Sequence, residues 1–158
     1  MNISHIEHLG IAVRSIEESL PYYEGVLGLK CYNIEVVEDQ KVKTAFFKVG
    51  GTKIELLEPT SEDSTIAKFI EKKGEGVHHI AFAVPDVESS LRECEEKGVS
   101  LIDAHPRKGA EGSISPSFIL NQREVCLPNF VVIQQKRSNQ TRLTGHEQDI
   151  KIYLKYTV

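Results

Sequence analysis

The chain contains no tryptophan, one methionine and three cysteines. Cys31, Cys94 and Cys126 are odd in number and show no CxxC spacing, which excludes a disulfide framework and a zinc knuckle and leaves reduced, space-filling thiols. No stretch reaches the roughly 18 apolar residues of a membrane span. The start, Met1-Asn2-Ile3-Ser4-His5, has neither a basic segment nor an apolar run, so no secretion signal is read and the expected compartment is the cytoplasm. An excess of positive charge is missing too. Nineteen Lys and Arg stand against 23 Asp and Glu, a net charge of -4 that gives no general attraction to nucleic acid. What is present, 158 residues of which 40% are hydrophobic and 27% charged, is enough for one domain with a buried core and a small-molecule partner.

The most informative feature is a repeat. His8-Leu9-Gly10-Ile11-Ala12-Val13 returns 71 residues later as His79-Ile80-Ala81-Phe82-Ala83-Val84. The similarity continues from residues 15–20 into 86–91, and Gly28-Leu29 is echoed by Gly98-Val99. Two such units fill the chain and are too few for a solenoid, so the pattern predicts a paired, pseudo-symmetric single domain. Module one covers about residues 5–59, a connector 60–75, module two about 76–134, and an atypical tail 135–158.

Alternation over 7–13 predicts a strand with Leu9, Ile11 and Val13 on the helix side. Ser15 caps the following helix, Ile16, Leu20, Tyr23 and Leu27 give its apolar face, and Pro21 is expected within its first turn and a half. Strands follow at 36–38, 42–49 and 53–57, and a helical connector at 63–73 stops at Gly74. The expected fold class is α+β: two paired β-α-β-β-β modules forming a cup-shaped mixed sheet with helices on the outside. The polar run 135–148 reads as a disordered segment or an extended tail, and 149–158 as an additional edge strand.

On the other face of the repeated strands, His8 is followed by Gly10 and Ala12, and His79 by Ala81 and Ala83, a small-residue strip with room for a ligand. Two imidazoles from separate strands supply half a coordination shell. Glu55, alternating with Ile54 and Leu56, faces the same way and adds a carboxylate. His78 is expected on the opposite face, in packing or solvent contact, and Glu58 at a solvated strand end. Arg107 and Lys108, beside Gly109, offer positive charge for an anionic substrate.

These stretches resemble a known family. Residues 8–29, the run Gly50-Gly51-Thr52-Lys53-Ile54-Glu55-Leu56-Leu57-Glu58-Pro59, residues 64–69 and 76–84, and Pro106-Arg107-Lys108-Gly109-Ala110 stand in the order and spacing of the methylmalonyl-CoA epimerases. Those enzymes are members of the vicinal oxygen chelate (glyoxalase/bleomycin resistance/dioxygenase) superfamily. The resemblance implies a homodimer whose modules cup a divalent metal, cobalt or manganese, with His8, His79 and Glu55 as ligands. It also implies an acyl-CoA substrate: a proton is removed and returned at the carbon between carboxylate and thioester, with Arg107, Lys108 and Gly109 near the coenzyme A phosphates or the substrate carboxylate. Effective acid-base groups for such a step titrate near the working pH. Glu55 is the candidate for a metal-bound base; the family's other base aligns near Thr44, a poor one, beside a solvated Lys43.

One segment departs from the family, whose last strand carries a glutamate ligand after a His-Pro-Lys-Ser-Thr-Gly-Gly turn. Here residues 118–131 read Phe-Ile-Leu-Asn-Gln-Arg-Glu-Val-Cys-Leu-Pro-Asn-Phe-Val. Codons allowed for this run, read from the third base, encode His-Pro-Lys-Ser-Thr-Gly-Gly-Val-Phe-Thr-Glu-Leu-Cys. A change of reading frame near Ser113 or Ile114 accounts for the departure. Asn129 then falls at the glutamate's place, where an amide oxygen binds a metal weakly and abstracts no proton, and Pro128 removes a ladder hydrogen bond. Epimerase activity is expected to be impaired. The alternatives are a glyoxalase-type metal-dependent lyase acting on a thiol conjugate, and a non-catalytic small-molecule binding protein on the same scaffold.

Overall fold

The computed structural model describes residues 2–101 and the strand residues 107–108, 114–115, 118–119 and 130–134. Strand β1 (His5–Ala12) leads into helix α1 (Ile16–Leu20), whose first turn is closed by Ser15 accepting from Glu18 N–H at 3.2 Å. The helix does not run on regularly to Leu27. At Pro21 it widens into a π-helical turn, Pro21–Val26, in which Leu27 N–H bonds the Tyr22 carbonyl at 3.0 Å. A proline cannot donate, and its ring crowds the preceding turn, so the ladder changes pitch there.

Strands β2 (Cys31–Val37), β3 (Val42–Val49) and β4 (Thr52–Pro59) then form an antiparallel meander, and β4 returns parallel to β1. The strand expected at 36–38 is the end of the longer β2. It is an edge strand whose apolar Tyr32, Ile34 and Val36 point outward, which hides its inward face from a search for buried alternation. Helix α2 (Thr65–Lys73) is capped by Ser64 accepting from Ala67 N–H at 3.0 Å and ends at Gly74, whose φ of 78° suits glycine. Strand β5 (Gly76–Val84) and helix α3 (Val87–Glu96) open the second unit, with Asp86 capping α3 as Ser15 caps α1.

Among the described residues, the main sheet has six strands in the order β10-β5-β1-β4-β3-β2, where β10 is Phe130–Gln134. Strand β10 runs parallel to β5 as β4 runs parallel to β1, and β1 and β5 meet antiparallel at the centre. The expected α+β class and its pseudo-two-fold pairing are therefore present. Four short strands make two further pairings: β6 (Ser100–Leu101) with β9 (Phe118–Ile119), and β7 (Arg107–Lys108) with β8 (Ile114–Ser115). The tail expected at 135–158 lies outside the described residues.

One sheet face packs under α1, where Val13, Ile16, Ala45, Phe47 and Leu56 form a core joined by Ile11, Leu20, Tyr23 and Ile54, as the alternation predicts. On the other face Ala12, Val42 and Leu57 pack against Ile66 and Ile70 of α2. Each large apolar side chain removed from water stabilises the fold by about 1.5–3 kcal/mol. The connector helix thus covers one end of the face that carries His8 and Glu55.

Candidate metal centre

His8 on β1, Glu55 on β4 and His79 on β5 are all buried, and one ligand atom from each lies within 4.8 Å of the others. Strand pairing brings them together. Gly10 is opposite Glu55 across the parallel β1-β4 pair and opposite His79 across the antiparallel β1-β5 pair. The two imidazoles meet edge to face with centroids 5.0 Å apart, and their Nε2 atoms converge at 2.8 Å. At Gly10 the missing side chain makes room for the neighbouring histidine: a Cβ there would stand 2.2 Å from His79 Cε1.

Among the described residues, Glu55 Oε1 is the buried side-chain oxygen with no hydrogen-bond partner. It lies 3.4 Å from His8 Nδ1 and 3.8 Å from Lys53 Nζ. A buried carboxylate oxygen left unbonded is costly unless something positive meets it. Two imidazoles and one carboxylate match the ligand preferences of a first-row divalent ion. Burial, together with the neighbouring His8 and His78, holds the His79 pKa well below its ordinary 6.5, so the ring is in the neutral form that a metal requires. The donor set and the orphaned oxygen fit a divalent cation.

One further group, Glu7, has no role in the sequence pattern, and His78 differs in part from its expected one. Glu7 Oε2 accepts from His8 Nδ1 at 2.5 Å, and Glu7 Oε1 meets Lys53 Nζ at 2.9 Å. Burial works against ionisation of Glu7, but the bond and charge of His8, with Lys53, outweigh it and hold the pKa at about 2. His78 does not project to solvent. It is buried, meets Phe69 of α2 edge to face at 5.0 Å, and has its Nδ1 2.9 Å from His79 Nδ1. The packing expected of it is there; the bond to the neighbouring ring is not what strict strand alternation predicts. Glu58 also differs from its expected role, because its carboxylate accepts from Ile16 N–H at 2.6 Å and completes the start of α1.

Thr44 is buried on β3 and Lys43 sits beside it, 3.9 Å from Glu58. Arg107 and Lys108 form β7, opposite Ser115 and Ile114; Gly109 and Asn129 lie outside the described residues. In β10 the residue paired with Ala81, the position that Glu55 holds opposite Gly10, is Val131, which carries no donor atom.

A β-α-β-β-β unit whose first strand pairs antiparallel with its own repeat, bringing two histidines and a carboxylate to one point, is the arrangement of a vicinal oxygen chelate protein. The chain belongs to the glyoxalase/bleomycin resistance protein/dioxygenase superfamily, which it matches over residues 7–115. It is 46% identical over 110 residues to the uncharacterized protein YqjC of Bacillus subtilis, an alignment covering 70% of this chain and 79% of that one. It is 34% identical over 112 residues to the ethylmalonyl-CoA/methylmalonyl-CoA epimerase of Cereibacter sphaeroides, with 70% and 84% covered. Among solved structures, a variant of the Streptomyces coelicolor methylmalonyl-CoA epimerase in complex with 2-nitronate-propionyl-CoA superposes with a TM-score of 0.68 at 37% identity, covering 72% of this chain and 83% of the other. The superfamily match ends at residue 115, just past Ser113 and Ile114. Among the described residues, no helix is long and apolar enough to cross a membrane.

Proposed function

We propose that this protein is an acyl-CoA epimerase acting at the carbon between the carboxylate and thioester of methylmalonyl-CoA or a close homologue. The observation that carries the reading is the buried His8-Glu55-His79 cluster with its unbonded carboxylate oxygen, in a chain 34% identical to an enzyme of that activity. His8, His79 and Glu55 would hold a divalent cation, cobalt or manganese. When bound, that cation supplies the positive charge that lowers the energy of an enolate. Glu55 takes and returns the substrate proton at its carboxylate, while β3, with Thr44 and Phe46, walls the site beside it from water. Arg107 and Lys108 meet the coenzyme A phosphates, and the chain works as a homodimer.

Inversion requires proton carriers on both faces of a planar intermediate. Glu55 serves one face. Neither Asn129 at the family glutamate's place nor Val131 at the strand register offers a base for the other. Exchange of the substrate α-proton should therefore outpace net epimerisation, and turnover should fall below that of relatives with an intact last strand. The test is to follow methylmalonyl-CoA in deuterated buffer by proton NMR, with cobalt or manganese added, beside a glutathione hemithioacetal as the lyase substrate. Deuterium uptake by methylmalonyl-CoA alone supports the reading; no uptake with either metal sinks it, as does epimerisation at the rate of intact relatives for the impaired-strand part.

A further inference from the structure

The two central strands each contain one extra residue, and it is the same residue in both copies of the repeat. Between Ile6-Phe82 and His8-Ala81 the β1-β5 register advances two positions on β1 for one on β5, leaving Glu7 as a bulge. Between Gly10-His79 and Ile11-Val77 it advances two on β5 for one on β1, leaving His78 as a bulge. Bulges re-aim side chains, and here each brings the residue before a histidine onto that histidine's side of the sheet. Glu7 Oε2 reaches His8 Nδ1 at 2.5 Å, and His78 Nδ1 reaches His79 Nδ1 at 2.9 Å.

We infer that Glu7 and His78 are a duplicated pair of positioning residues, set by matching bulges to hold the Nδ1 atoms of His8 and His79 so that both rings present Nε2 to one cation. The inference rests on the metal-binding reading of the His8-Glu55-His79 cluster. A carboxylate only accepts, so the Glu7 bond puts the proton of His8 on Nδ1 and leaves Nε2 for the metal. Between His78 and His79 one ring donates and the other accepts; a metal on His79 Nε2 makes His79 the donor. Glu7 has a second effect. Glu55 Oε1 is 3.4 Å from the same His8 Nδ1, so without Glu7 the ring turns its proton to Glu55 and ties up two ligands in a bond with each other. Lys53, opposite His8 in the β1-β4 register, holds the other Glu7 oxygen at 2.9 Å and keeps the carboxylate in place.

The experiment is titration of metal-free protein with Co2+ and with Mn2+ by calorimetry, comparing the unmodified chain with Glu7→Ala, Glu7→Gln and His78→Phe. Thermal unfolding of the metal-free forms serves as the control for folding. Loss of a partner of this kind costs about 10- to 100-fold in metal affinity. Glu7→Ala and His78→Phe should show that loss, and Glu7→Gln, which keeps an acceptor oxygen, a smaller one. Unchanged affinity in Glu7→Ala and His78→Phe, beside normal binding by the unmodified chain, overturns the inference and leaves the metal reading standing; no binding by the unmodified chain overturns both. Should a variant fail to fold, side-chain 15N spectra of the unmodified protein loaded with diamagnetic Zn2+ decide the matter. Both rings are expected to carry their proton on Nδ1, and ligation of either ring through Nδ1 refutes the proposal.

Discussion

Gly10→Ala tests the site most sharply, because the substituted methyl group has one place to go and that place is taken. Its Cβ would lie 2.2 Å from His79 Cε1, 2.5 Å from Nδ1 and 2.6 Å from Nε2. Non-bonded carbons settle at about 3.5–4.0 Å, so the ring must move by more than ~1 Å or the strands must part. Gly10 and His79 are partners in the central strand pair, which resists parting. The ring is held at Nε2 by His8 at 2.8 Å and at Nδ1 by His78 at 2.9 Å, so its displacement breaks one of those contacts. Overpacking of this kind costs about 1–3 kcal/mol, or roughly 2–12 °C in Tm for a chain of this size. A ligand misplaced by an ångström costs about 100-fold in the chemistry it supports. Calorimetric titration with Co2+, metal-free thermal unfolding and α-proton exchange should all register the change. Gly25→Ala is the control, since nothing lies within 4 Å of its added carbon and alanine is the better helix former. Wild-type metal affinity and Tm in Gly10→Ala would refute the reasoning.

Glu55→Gln should weaken metal binding at least about tenfold and cut α-proton exchange by about 100- to 10,000-fold, yet leave metal-free Tm unchanged or raised, because Oε1 has no hydrogen bond to lose. A metal-free protein several degrees less stable would contradict that account. Stability of the metal-free protein should fall with acid below pH 6.5. The unfolded chain binds a proton at His79 there while the folded ring, buried beside His8 and His78, refuses it, so folding loses up to ~1.4 kcal/mol per pH unit from this group until the lowered folded pKa is passed. Urea midpoints between pH 5 and 8 check the slope, and a flat profile counts against a neutral buried His79. Glu58→Ala removes the acceptor of Ile16 N–H at 2.6 Å and should cost about 0.5–2 kcal/mol, seen in thermal unfolding with metal affinity retained. An unchanged Tm would place that residue back among solvated strand ends.

Sequence periodicity alone determined the repeated central strands, the cap at Ser15, and the choice of His8, His79 and Glu55. It did so because these depend on local spacing: residues two apart on a strand share a face, and a repeat of 71 residues carries that face into both units. The outward apolar side of β2 and the change of helical pitch at Pro21 were illegible, since an edge strand and an irregular turn break the periods that were being read. Strict alternation puts His78 on the opposite side of the sheet and gives Glu7 no role. Only the pairing of β1 with β5 reveals the bulges that turn them toward the histidines, because a bulge is a mismatch between two strands and exists in neither strand by itself. The same holds for Gly10: its neighbours in the chain show a small residue, and the tertiary structure alone shows the imidazole lying against it.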